Sequence, residues 1–114
     1  CRALCNHPRN LDDHQIEAVA ATGGVMAITF VPKFVCATSP TLDRLLDHID
    51  HAITVAGPAH VGLGSDFDGG GTLIPHAGEY PCLTAGMLDR GYDDTVIRGV
   101  LGENHLRVFR AVCG

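Results

Sequence analysis

The sequence predicts an α/β fold built on a parallel sheet, and three observations carry that prediction. Residues 41–56 show amphipathic helical spacing, two short apolar runs flank them at 25–30 and 60–65, and the links are short. The first run, VMAITF, does not alternate apolar with polar residues, as expected of a strand covered on both faces. A strand, a helix and a second strand in this order form a βαβ unit, in which chain twist nearly fixes parallel pairing and crossover hand.

Each element has its own reasons. Residues 10–24, NLDDHQIEAVAATGG, open on an Asn able to cap a helix, carry Asp12 and Asp13 in the first turn, and close on Gly. Leu11, Ile16, Val19 and Ala20 give this helix an inward stripe. It runs directly into the strand at 25–30. Residues 31–40, with Pro32 and Pro40, are expected to be a loop. In the helix at 41–56, Leu42, Leu45, Leu46, Ile49, Ile53 and Ala56 share a face, whereas Asp43, Asp47, His48, Asp50 and His51 fall mostly elsewhere. Gly57 and Pro58 stop it, and HVGLGS follows as the second strand. Residues 69–81 read as a Gly- and Pro-rich loop, and LTAGMLDRG and DDTVIRGVLGENHLRVFRAV as two or three short closing helices.

Composition bounds the function. The 114 residues, 46% hydrophobic, suit one modest folding unit, and no apolar run approaches the roughly 18 residues of a membrane span. A net charge of −5 offers no basic stripe for nucleic acid. Two strands are too few for a self-sufficient parallel sheet, and CRALCNHPRN has neither an initiator Met nor a signal-peptide core, so the chain is expected to be a piece of a longer protein. Five cysteines, Cys1, Cys5, Cys36, Cys82 and Cys113, contain no CxxC and read as free thiols or buried small hydrophobes.

The stretch VGLGSDFDGGG, residues 61–71, holds the candidate chemistry. Sites in parallel α/β proteins gather at the carboxyl ends of strands, where Asp66 and Asp68 stand. A dinucleotide fingerprint on Gly62 and Gly64 lacks its third glycine, because Phe67 takes that place. A haloacid dehalogenase-type phosphatase would use Asp66 and Asp68 with Mg²⁺, but Gly70 and Gly71 interrupt its DxDGTL pattern before Thr72. A third reading makes Asp66 a lone carboxylate beside a metal centre built by other strands, moving a proton to a leaving amine. Asp68 is then a turn-former. A non-catalytic truncated remnant that pairs its open strand edges with another chain is a further alternative.

The segments RALCNHPRNLDD, GGVMAITF, LLDHIDH, HVGLGSDFDG, LDRGY and LGENHLRVF together resemble the C-terminal part of the renal or membrane dipeptidases, the M19 peptidases of the amidohydrolase superfamily. The resemblance covers nearly the whole chain. It implies a TIM-type (β/α)8 barrel of which residues 1–114 are a single partial domain, with strands seven and eight at VMAITF and HVGLGS and helices flanking them. It further implies a zinc metallodipeptidase acting on dipeptides, in which Asp66 serves proton transfer and contacts the substrate amine. Arg9 corresponds to the arginine that grips the dipeptide's carboxylate, a task suited to a planar, permanently charged fork. The family's ligands for two zinc ions come from earlier strands, so no metal ligand is assigned here and the piece alone is expected to be inactive. His48 and His51, spaced i, i+3, are expected on a solvated helix face, as are His7, His14, His60, His76 and His105 at the surface. The resemblance also places Cys5 and Cys36 in neighbouring loops where secreted relatives carry a disulfide, and leaves that pairing open. The 69–82 loop is less acidic than is usual in the family, which leaves substrate preference open. Dipeptide specificity, compartment and a homodimer of the intact protein are likewise open.

Overall fold

The computed structural model describes residues 1–69 and 71–114; Gly70, the middle glycine of the GGG run, lies outside them. Helix α1, Asp13–Ala21, leads into strand β1, Met26–Ile28, then the one-turn helix α2, Pro32–Val35, and the long helix α3, Leu42–Ala56. A single tight turn at Pro58–His60 precedes strand β2, Val61–Leu63. Helices α4, Tyr80–Asp89, α5, Asp94–Arg98, and α6, Asn104–Cys113, close the chain.

β1 and β2 pair in parallel, Met26 opposite Val61 and Ile28 opposite Leu63, with α3 as the crossover. The pairing continues beyond the strands, where Gly64 N donates to Ile28 O and Phe30 N donates to Ser65 O, both at 3.0 Å. Those bonds carry the β2 chain end alongside the β1 chain end and bring position 66 level with the loop after β1.

α3 supplies the main apolar face. Leu45, Leu46, Ile49 and Ala52 are buried against Ile16, Met26, Ile28, Val61, Leu83, Met87 and Val100. Burying one such side chain contributes roughly 1.5–3 kcal/mol, so this stripe fixes the helix on the sheet far more firmly than propensity does. Thr41 starts the helix by accepting Arg44 N on Oγ1 at 3.2 Å, and Gly57, at φ 88, ends it. On the outer side, Arg90 Nη1 lies 3.0 Å from Asp47 and 2.5 Å from Asp50, while Nη2 donates to Asp43 O at 3.0 Å. Tyr92 donates its hydroxyl to Asp50. This fork ties the α4–α5 link to α3.

Several expectations are corrected. The cap of α1 is Asp12, in a reciprocal box with Gln15 at 3.0 Å each way, because Asn10 is used elsewhere. The 31–40 segment contains α2, since Pro32 occupies a first-turn position where its fixed φ favours a helix. Similarly, α4 begins at Tyr80 with Pro81 in its first turn, inside the expected loop. β1 is buried on one face only: Met26 and Ile28 point into the core, and Ala27 is exposed. α5 and α6 are joined through a wide turn, Gly99–Glu103, kinked at Gly102.

Candidate functional site

A cavity of about 140 Å³ lies beside β1, lined by Arg9 and Asn10 from the first loop, Met26 to Thr29 from β1, Phe34 and His48, and Asp66 from the loop after β2. Both residues singled out in the sequence, Arg9 and Asp66, therefore border one space. Asp68 does not border it and is exposed, as suits a turn residue. Only one of the two carboxylates of the DxD reading thus lines this cavity.

Asp66 is set by its backbone. It is the one non-glycine residue with positive φ among the described residues, at 62°, in a conformation that costs about 1 kcal/mol and that Asp tolerates better than most. Gly69 N donates to Asp66 O at 2.9 Å and closes the turn. Phe67 anchors it from inside: its ring meets Phe30 edge-on at 5.8 Å, and Phe30 meets Tyr80 at 5.7 Å. With Phe67 packed inward, Asp66 is left half-buried at the cavity.

The glycines of this stretch answer to neighbours distant in the chain. A Cβ on Gly62 would overlap the His105 ring, one on Gly64 would stand 2.7 Å from Ala27 Cβ, and one on Gly69 would stand 2.8 Å from the Asp66 carboxylate. Packing thus accounts for the glycines that a dinucleotide fingerprint would have claimed.

Arg9 is held from the other side. Its guanidinium carbon sits 5.0 Å from the centroid of the Phe34 ring, which is buried on α2. Asn10, missed as a functional residue, donates its amide to Cys5 O at 2.9 Å and to Phe34 O at 2.8 Å, clamping the first loop to α2. The only hint in the sequence was an Asn beside the Arg, which reads equally well as a helix cap. No salt bridge among the described residues engages Arg9.

His48 corrects an expectation. It is buried rather than solvated: Nε2 lies 2.9 Å from Val35 O and Nδ1 lies 2.8 Å from the Cys1 nitrogen. A carbonyl only accepts, so Nε2 carries the proton and Nδ1 accepts, and burial lowers the pKa of the ring. His51 is also drawn in, 2.7 Å from Asp13 on α1. Of the other histidines, His14 and His76 are exposed, the His7 ring packs on Phe34 at 4.7 Å with the planes tilted by 60°, and His60 Nδ1 lies 2.8 Å from Gly24 O.

All five cysteines are free thiols, so the Cys5–Cys36 pairing is not made; Cys5 Sγ instead contacts Lys33 O at 3.5 Å. Backbone N–H groups of Ser39 and Thr38 lower the pKa of the Cys36 thiol. Among the described residues, no three His, Cys, Asp or Glu side chains converge to hold a metal ion. Asp66 is the sole carboxylate at the cavity and both ring nitrogens of His48 are engaged, so these residues do not fit a metal centre of their own. No helix among them is long and apolar enough to cross a membrane.

Comparison with known proteins gives a consistent result. The family model for membrane dipeptidase (peptidase family M19) matches residues 1–113. Dipeptidase verJ of Clonostachys rogersoniana is 40% identical over 117 residues, covering 98% of this chain and 30% of that protein. Dipeptidase 3 of Mus musculus is 32% identical over 115 residues, covering 97% of this chain and 23% of that protein. A metallo peptidase from Rhodobacter sphaeroides, solved with a phosphinate mimic of the dipeptide L-Ala-D-Ala, superposes with a TM-score of 0.83 at 33% identity, over 90% of this chain and 31% of that one. The chain thus spans less than a third of the length of each of these three relatives. With a match running from its first residue to its last but one, the chain belongs to the membrane dipeptidase family, peptidase family M19.

Proposed function

We propose that residues 1–114 are the C-terminal portion of a zinc metallodipeptidase barrel, a partial domain in which β1 and β2 are barrel strands seven and eight. On this reading the chain contributes two groups to the active site. The Arg9 fork receives the dipeptide's C-terminal carboxylate, for which its planar donors are suited. The Asp66 carboxylate contacts the substrate amine, accepts a proton during attack on the peptide carbonyl and returns it to the leaving amine. The zinc ligands belong to other strands of the barrel, in keeping with a donor set here that does not fit a metal.

The observation that carries the reading is the meeting of Arg9 and Asp66, far apart in sequence, at one cavity beside the parallel strands. A cation and a carboxylate at one cavity suit the two opposite charges of a zwitterionic dipeptide.

The test is a segment swap. Residues 1–114 replace their counterpart in a relative such as the verJ dipeptidase, and hydrolysis of dipeptides is assayed with zinc present. Turnover that survives the swap, falls by about 10²-fold or more with Asp66→Asn, and shows a raised KM with Arg9→Lys supports the reading. An active swap indifferent to Asp66→Asn overturns it. The 114-residue chain alone, given excess zinc, is expected not to hydrolyse dipeptides.

A further inference from the structure

Phe34 gathers two cations. Arg9 stands 5.0 Å from its ring centroid and Lys33 Nζ stands 5.3 Å from it, and the His7 ring packs on it at 4.7 Å. The ring is buried at the end of α2, and Asn10 pins the Phe34 carbonyl to the first loop, so the platform under both charges is fixed. Neither Arg9 nor Lys33 takes part in a salt bridge among the described residues. In a chain of net charge −5, two such cations on one ring form a local positive spot. Attraction to the ring's π face offsets part of their mutual repulsion, and a ligand bringing two negative charges would relieve the rest. Arg9 borders the cavity, whereas Lys33 is exposed and does not line it but shares the Phe34 ring that does, which assigns them different tasks.

Resting on the dipeptidase reading above, we propose that Lys33 is a specificity-determining residue: with Arg9 it forms a two-cation rim that favours dipeptides whose second residue carries a side-chain carboxylate. Arg9 takes the main-chain carboxylate common to all dipeptides. Lys33 takes the side-chain carboxylate of a C-terminal Glu or Asp. Asp66, at the same cavity, sets the direction by favouring the amine end and repelling an acidic one.

The experiment compares Ala-Glu with Ala-Gln, nearly isosteric substrates differing by one charge, in the segment-swapped dipeptidase. A preference for Ala-Glu of about two- to five-fold in kcat/KM is expected, the range of an exposed ion pair, carried mainly by KM and shrinking in high salt. Lys33→Met should bring the ratio to about one, and Lys33→Arg should retain it. Equal turnover of the two substrates, or a preference untouched by Lys33→Met, overturns the inference while leaving the dipeptidase reading in place. A second measurement separates the two claims: NMR titration of the 114-residue chain with N-acetylglutamate and N-acetylglutamine, followed at the amides of residues 7–10 and 33–36. Tighter binding of the acid, abolished by Lys33→Met, in a protein whose swap hydrolyses no dipeptide would keep the rim and overturn the dipeptidase reading. Absence of both turnover and preference overturns both.

Discussion

The Asp66 carboxylate occupies the space where a side chain on Gly69 would have to begin, with Cγ and Oδ1 each 2.8 Å from an ideal Cβ at that position. The turn that fixes Asp66 therefore also requires residue 69 to have no side chain. Gly69→Ala is expected to push the carboxylate out of its place at the cavity and lower kcat by about 10- to 100-fold in the segment-swapped dipeptidase, since a displacement near 1 Å is enough for such a loss. Stability should change little, because the position is exposed. Steady-state kinetics beside a thermal melt checks both halves, with exposed Asp68→Asn as the control.

The buried His48 makes stability depend on pH. Its neutral ring donates from Nε2 to Val35 O and lies with Nδ1 against the Cys1 amine, so a second proton would place a charge on a buried ring. Burial lowers its folded pKa below the unfolded value of about 6.5. The unfolded chain thus binds the proton first: this stability is fully present above about pH 6.5 and is lost as pH falls below it through the folded pKa. Urea unfolding of the 114-residue chain at pH 7.5 and pH 5.5 should show the drop. His48→Ala should be less stable at pH 7.5 by about 1–3 kcal/mol, the cost of leaving buried partners unpaired, and should lose part of the pH dependence.

The Arg90 fork is expected to hold α3 to the α4–α5 link through geometry as well as charge. Burial opposes the Arg90 charge, but its hydrogen bonds to Asp50 and Asp47 outweigh that and raise its pKa. Arg90→Lys keeps the charge and cannot reach Asp47, Asp50 and the Asp43 carbonyl from one planar group, so it should cost about 1 kcal/mol. A double-mutant cycle of Arg90→Ala with Asp50→Asn should give a coupling of similar size, and purely additive losses would count against the fork.

The parts of the fold that follow from local pattern were legible in the sequence. The uninterrupted run VMAITF gave β1, and the Leu and Ile stripe of 41–56 gave α3 with its ends within a residue. What escaped depends on partners remote in the chain. His48 looked like a solvated residue because its neighbours Asp47 and Asp50 are polar, while the groups that satisfy it lie 47 and 13 residues away. Asn10 offered a helix cap to local reading, yet its amide serves a carbonyl 24 residues on. Position 66 stood at a strand end by simple spacing, but its meeting with Arg9 was reachable only through resemblance to a family, since no period in the sequence links a first loop to a turn after β2. Gly62 and Gly64 were weighed as a dinucleotide fingerprint within the second strand, because their steric neighbours, His105 and Ala27, are nowhere near them in sequence.

Those two neighbours differ in how far they can yield, which separates two otherwise similar substitutions. Gly64→Ala drives a methyl into Ala27 Cβ, at 2.7 Å, and Ala27 belongs to the paired strand β1, so relief requires the strands to part. Gly62→Ala meets first the imidazole of His105, which is exposed on the first turn of α6 and can swing outward. Both changes exchange the same two residue types, so most of their difference reports packing. Gly64→Ala is expected to destabilise by about 1–3 kcal/mol, the usual range for overfilling a rigid site, and Gly62→Ala by well under half of that. His105→Ala in the Gly62→Ala background should restore what was lost, whereas it should do nothing for Gly64→Ala. Equal losses at the two positions, measured by urea unfolding of the 114-residue chain, would mean that the His105 ring is as firmly seated as the strand itself.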